Sequence, residues 1–359
     1  MRSSRPLLIG LVSAVCLVAP LIATTTPVLA QVSGSGAQGI NTLPPALRAA
    51  VLSGNGQAVL QAISVLSGGN PATQATLASQ VVAAAESLVA SNPQAAIQAA
   101  GAAVQSVANQ PVQTSAPQQT ESVLTTAARI FVSPATQRVA PEAVAQLANA
   151  AVAAAVTTNN AGLIASVASQ AVTTAENILA VSPSAAVQLA GASVQAVAPQ
   201  QIGSSAPGQT LAVVTTAGRI LVRPEAQQVA PAATAQMAVT VSNVVTQPAV
   251  YQASPAQAIQ VLANSYSAVT SQTVAASAPG AGQQVTQTIN RASSSTALNS
   301  INPGNASQTN AILGGQSPTT EVTTNNPGAT NNPATTTNDN TTLTPVAEPD
   351  TNIFTASPS

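Results

Sequence analysis

Residues 78–146 and 168–236 align at a constant offset of 90 without a gap, and 39 of the 69 aligned positions are identical. Shared composition would not hold register through the connecting segments, so this duplication constrains the fold before any other feature does. A chain of this kind repeats one supersecondary unit, and each unit buries its apolar face against its neighbours. Pro93-Gln94-Ala95-Ala96-Ile97-Gln98 matches Pro183-Ser184-Ala185-Ala186-Val187-Gln188, and Val139-Ala140-Pro141 matches Val229-Ala230-Pro231. A partial third copy follows at an offset of 72 from the second. There Ser254-Pro255 matches Ser182-Pro183, Ser277-Ala278-Pro279-Gly280 matches Ser205-Ala206-Pro207-Gly208, and Arg291 matches Arg219. The 18 residues it lacks amount to about one helix and fall within 161–180.

Within the first copy, Leu77, Val81, Ala85 and Leu88 are spaced for one face of a helix. So are Ile97, Ala100, Val104 and Val107, then Val123, Ala127 and Ile130, then Val144, Leu147, Ala151 and Ala155. Four helices per unit are expected, with starts marked by proline at the first helical position: Asn92-Pro93, Ser133-Pro134, Ser182-Pro183 and Ser254-Pro255. Abundant Val and Thr raise a β-rich alternative, which the spacing and the Ala content oppose. The expectation is an all-α chain of about a dozen short helices, arranged as an Ala-rich helical repeat array or an elongated bundle with a disordered tail.

The ends carry different signals. Arg2 and Arg5, the apolar run 6–22 and Val28-Leu29-Ala30 read as a bacterial-type secretory signal peptide cleaved between Ala30 and Gln31. The single cysteine, Cys16, lies inside it, so the mature chain is expected to hold no thiol. From about Asn302 the texture turns to Thr, Asn and Pro, with too little apolar surface to offset chain entropy. The expected division is a signal peptide over 1–30, a flexible lead-in over 31–44, a helical repeat domain over 45–295 and a disordered tail over 296–359. Within the helical domain the units are about 71–160, 161–250 and a partial 251–295.

Composition narrows the chemistry. Charged residues make up 5% of the chain and aromatics 1%; there is no His, and all eight basic residues are Arg. Without imidazole there is no histidine base, Ser-His-Asp triad or His metal site, and without Lys no Schiff base. No stretch has metal-ligand spacing, and no cofactor is expected. Six Arg and five Glu in 31–295 leave that region near neutrality, too weakly basic for nucleic acid. After signal cleavage no apolar run is long and clean enough to cross a bilayer.

Glu86 and Glu176 share one repeat position, and Arg129 and Arg219 share another. Each Glu–Arg couple is read as a structural pair bridging the first and third helices of its unit, because a lone carboxylate has little to work with as a catalyst. Phe131, Tyr251 and Tyr266 read as core or capping residues. Asn305-Ala306-Ser307 and Asn340-Thr341-Thr342 fit the glycosylation acceptor pattern. The function expected is that of an exported, non-enzymatic structural or interaction protein, secreted or periplasmic, in the cell envelope or extracellular matrix. Self-association is expected through helical faces and an incompletely capped end. The alternative is an exported helical binding module for a peptide, glycan or hydrophobic ligand.

Overall fold

The computed structural model describes residues 36–316, which form 21 α-helices and no strand. Helices α1 (Gly36–Asn41), α2 (Pro45–Leu52) and α3 (Gly56–Ser67) precede the first copy. That copy supplies α4 (Pro71–Leu88), α5 (Pro93–Val107), α6 (Gln110–Ser115), α7 (Pro117–Val132), α8 (Pro134–Val139) and α9 (Pro141–Thr157). The second supplies α10 (Ala161–Ile178), α11 (Pro183–Val197), α12 (Gln200–Ser205), α13 (Pro207–Leu221), α14 (Pro224–Val229) and α15 (Pro231–Val245). The remainder forms α16 (Pro248–Ala253), α17 (Pro255–Thr270), α18 (Gln272–Ser277), α19 (Pro279–Ser293), α20 (Thr296–Ile301) and α21 (Asn305–Leu313).

Thirteen of these helices begin at a proline, which shows how local the punctuation is. Proline's fixed φ suits the first turn, where its missing N–H has no partner to lose. The residue before a proline is pushed out of the helical region. Ala116 therefore sits at φ −144° and ψ 61°, and Ala140, Ala206, Ala230 and Ala278 adopt closely similar values. Each of these alanines ends a six-residue helix and starts a long one. The Ala116 N–H donates to Val112 O, and its own carbonyl accepts from the Thr120 N–H. Each full unit thus holds six helices rather than the expected four, because a six-residue helix is too short to show a periodicity of its own.

The long helices alternate between two rows. Helices α4, α7, α10, α13, α17 and α21 form the first row, and α3, α5, α9, α11, α15 and α19 form the second. Each long helix packs against the next in sequence, across the rows, and against the next but one, along its own row. Helices α1 and α2 close the N-terminal end, α1 against α4 and α2 against α3. The 90-residue duplication is thus two pairs of long helices.

This strict alternation gives the shortened third copy a consequence. By sequence α17 and α19 correspond to α11 and α13, and the missing helix corresponds to α10. With one helix absent, every later helix moves to the opposite row. The α13 counterpart, α19, packs along α15 in the second row, whereas α13 packs along α10 in the first.

The core between the rows is mostly Ala and Val, with Phe131 and Tyr251 fully buried. Small side chains let helix axes approach closely. Several buried serine hydroxyls bond back within their own helices: Ser193 Oγ donates to Leu189 O at 2.8 Å, Ser242 Oγ to Ala238 O at 2.8 Å and Ser265 Oγ to Val261 O at 2.9 Å. Glutamines take the place of ions at helix ends. Gln137 Nε2 donates to Phe131 O at 3.0 Å, and its repeat equivalent Gln227 donates to Leu221 O at 2.8 Å.

Two expected boundaries move. Part of the expected lead-in is structured, since α1 spans Gly36–Asn41 and Leu43 is buried. At the other end α20 and α21 occupy residues placed in the disordered tail, so the third unit runs beyond 295 to Leu313. The reason is a buried polar network. Tyr251 Oη donates to Asn305 Oδ1 at 2.9 Å and accepts from Asn302 Nδ2 at 3.1 Å, and Asn305 Nδ2 donates to Ala292 O at 2.8 Å. Asn302 and Asn305 are both fully buried. Composition read these asparagines as solvated, whereas their side chains are hydrogen-bonded inside the fold. The array is therefore capped at this end, contrary to the expectation of an incomplete one. Asn305 is also inaccessible as a glycan acceptor in the folded chain. The cleavage position at Ala30 and Gln31, Asn340 and most of the expected tail lie outside the described residues.

Candidate functional site

The structure brings both repeat-equivalent ion pairs together on the first row. Arg129 Nε and Nη2 contact Glu86 Oε1 and Oε2 at 2.7 and 3.0 Å, bridging α7 to α4. Arg219 contacts Glu176 in the same bidentate way at 2.8 and 2.7 Å, bridging α13 to α10. Thr126 and Thr216 accept a further bond from each guanidinium at 3.1 and 3.2 Å. The hydrogen bond from Arg219, with its charge and that of Arg223, holds the Glu176 carboxyl below its ordinary value. Both pairs face solvent, where an ion pair is worth only about 0–1 kcal/mol. Both oxygens of each carboxylate are engaged by its arginine, which is the geometry of a brace.

In the third copy the brace is altered by the change of row. Thr288, the counterpart of Thr216, donates to Asn243 Oδ1 on α15 at 3.0 Å. Arg291 itself is exposed.

Charge is distributed unequally between the rows. From α3 through α15 the second row carries one charged residue, Glu142, in the first turn of α9. Its open face instead presents Gln98, Gly101 and Gln105 on α5 and their counterparts Gln188, Gly191 and Gln195 on α11. A Cβ placed on Gly101 or Gly191 would meet nothing within 4 Å, so packing does not require either glycine. A mid-helix glycine costs about 1 kcal/mol relative to alanine, and here the same cost is carried twice. Near the N-terminal end this face dips into a groove of about 490 Å³ between α3, α5 and α9, rimmed by Gln57, Gln98, Gln105 and Gln146. These six positions of α5 and α11 were visible in the sequence as identities off the core-facing stripe, but only the row arrangement shows that they share one surface.

Among the described residues no three His, Cys, Asp or Glu side chains are grouped to hold a metal, and no helix is long and apolar enough to cross a membrane. The fold defines an all-α protein built on a duplicated helical unit. No protein-family model matches the chain, and no significant match is found among curated proteins or solved structures.

Proposed function

We propose that the chain is an exported, non-enzymatic interaction protein of the cell envelope or extracellular matrix. Its helical-repeat array would associate reversibly through the second-row face, with a second copy as the simplest partner. The observation that carries this reading is that face: nearly uncharged, lined by repeated Gln-Gly-Gln positions, and holding two glycines that packing does not need. A surface with few charges lacks the repulsion that keeps copies apart, and a net charge near zero favours association. Export rests on the Arg2, Arg5 and Val28-Leu29-Ala30 signal, and N-terminal sequencing of native protein should begin at Gln31.

The test is sedimentation velocity of the mature chain over a wide concentration range. Mass should rise with concentration, and Gln98→Glu combined with Gln188→Glu should abolish the rise while leaving the far-UV circular dichroism unchanged. A monomer at every concentration would reject association through this face. The groove between α3, α5 and α9 favours a second reading, a binding module for a peptide, glycan or hydrophobic ligand. That reading requires a stable monomer with a saturable ligand signal at the groove.

A further inference from the structure

In the second copy α16 is seated on α12 and α13. Its third residue, Val250, lies so close to Gly203 of α12 that a Cβ there would press on Val250 and collide with Gln247. At the offset of 72 the counterpart of Gly203 is Ala275 on α18, and the counterpart of α13 is α19. Ala275 and the α19 residues Pro279, Gly282 and Gln283, with Val269 and Thr270 at the end of α17, line an open and mostly apolar groove of about 550 Å³. The third copy thus has the seat without an occupant among the described residues.

The chain itself leads there. By the same correspondence α21 stands for α15, and the segment that follows it stands for α16. Gln316, the last described residue, lines a cleft together with Thr270, and Thr270 is also a wall of the groove. The next residues read Ser317-Pro318-Thr319-Thr320-Glu321-Val322-Thr323. They repeat the opening of α8, Ser133-Pro134-Ala135-Thr136, in which the third helical residue is Thr136. In every six-residue helix from α6 to α20 that third residue is buried. Thr136 is fully buried with its hydroxyl turned back to Ser133 O at 2.8 Å, so a threonine can anchor such a position. Sizes agree as well. Gly203 makes room for Gln247, the residue before Pro248, whereas Ala275 would face the smaller Ser317, the residue before Pro318.

We propose that residues 317–323 of the same chain occupy this groove as the counterpart of α16, with Thr320 seated against Ala275. Burial of the groove's apolar wall and of the threonine methyl favours the contact. Glu321 falls where α16 has Tyr251, and a charged residue suits the outer face of a terminal repeat. A second copy offers the same segment, but the exit of the chain beside Thr270 gives its own 317–323 the higher effective concentration. The inference is independent of the reading of the second-row face.

The test uses the mature chain, which has no cysteine after residue 16 and so carries only those introduced. Ala275→Cys with Thr320→Cys should close an intramolecular disulfide on mild oxidation, since Cα atoms must come within about 7 Å for one to form. Ser267→Cys with Thr320→Cys is the comparison, because Ser267 lines the neighbouring cleft beside Gln316. The first pair should close at least tenfold faster. In the cysteine-free chain, Thr320→Asp should speed hydrogen exchange at the Ala275 and Ala278 amides at least fivefold, with the far-UV circular dichroism unchanged. Equal closure rates for the two pairs, or unchanged exchange, would show that the segment does not sit in the groove. A disulfide-linked dimer as the main product of the first pair in dilute solution would assign the groove to a second copy instead.

Discussion

Gln113 and Gln247 donate to repeat-equivalent carbonyls, those of Ala108 and Ala198, although the two glutamines occupy different repeat positions. In the first copy the amide comes from α6. In the second it comes from the residue just before α16, and Gly203 stands where Gln113 would be. A Cβ on Gly203 would collide with Gln247 Oε1 and press on Val250. The polar function is kept while its donor has moved, and glycine supplies the room.

This exchange predicts that Gly203→Ala destabilises the fold by about 1–3 kcal/mol, the usual cost of overpacking. Adding Gln247→Thr, which restores the first copy's residue at that position, should recover part of the loss. Denaturant unfolding of the single and double variants measures the coupling. Strict additivity would show that the two side chains do not compete for space.

The ion-pair braces should be modest and local. Glu86→Arg or Arg129→Glu alone should cost about 1 kcal/mol or less, as expected for solvent-facing pairs, and the double exchange should recover most of it. A double-mutant cycle in low and high salt tests this, since the coupling of an exposed pair shrinks as salt rises.

The Glu176 carboxyl titrates below its ordinary value, and the sign of its pH effect follows. A carboxylate whose folded-state pKa is lowered contributes stability that is complete above the unfolded value, near 4.5, and is lost as pH falls through the folded value. Stability measured downward from pH 6 should therefore fall less steeply below pH 4.5 in Glu176→Gln than in the parent. Equal slopes would show that this pair adds no pH dependence.

Tyr251→Phe should cost about 1–3 kcal/mol, because it leaves Asn302 and Asn305 buried with one partner fewer each. Burial also raises the Tyr251 phenol above its ordinary value, against the weaker effect of the Asn302 hydrogen bond. Thermal unfolding combined with limited proteolysis around α20 and α21 would locate the loss. An unchanged protease pattern would mean that the network does not hold the C-terminal cap in place.

Gly101→Ala and Gly191→Ala should each stabilise the array by about 0.5–1 kcal/mol, since both are helical and open to solvent. If the second-row face works at close range, the same substitutions should weaken association in sedimentation experiments. Gained stability with unchanged association would separate the two effects and count against close approach at these glycines.

The sequence by itself determined the all-α class, the duplication and the proline-marked helix starts at Pro93, Pro134, Pro183 and Pro255. All of these are local, because proline, asparagine caps and apolar spacing act within a turn or two of the chain. It also put Glu86 and Arg129, and Glu176 and Arg219, at matched repeat positions. The tertiary structure alone decided what depends on contacts between distant segments. Six-residue helices such as α8 and α14 exist because an Ala-Pro junction and the flanking long helices hold them, and a single turn has no periodicity to read. The α20–α21 cap looked like a solvated tail because Asn302 and Asn305 are polar; Tyr251, some 50 residues away, joins the carbonyl of Ala292 in giving them buried partners. Which row a helix joins is set by how many long helices precede it. Losing one helix therefore moves α19 across the array while its sequence still matches α13.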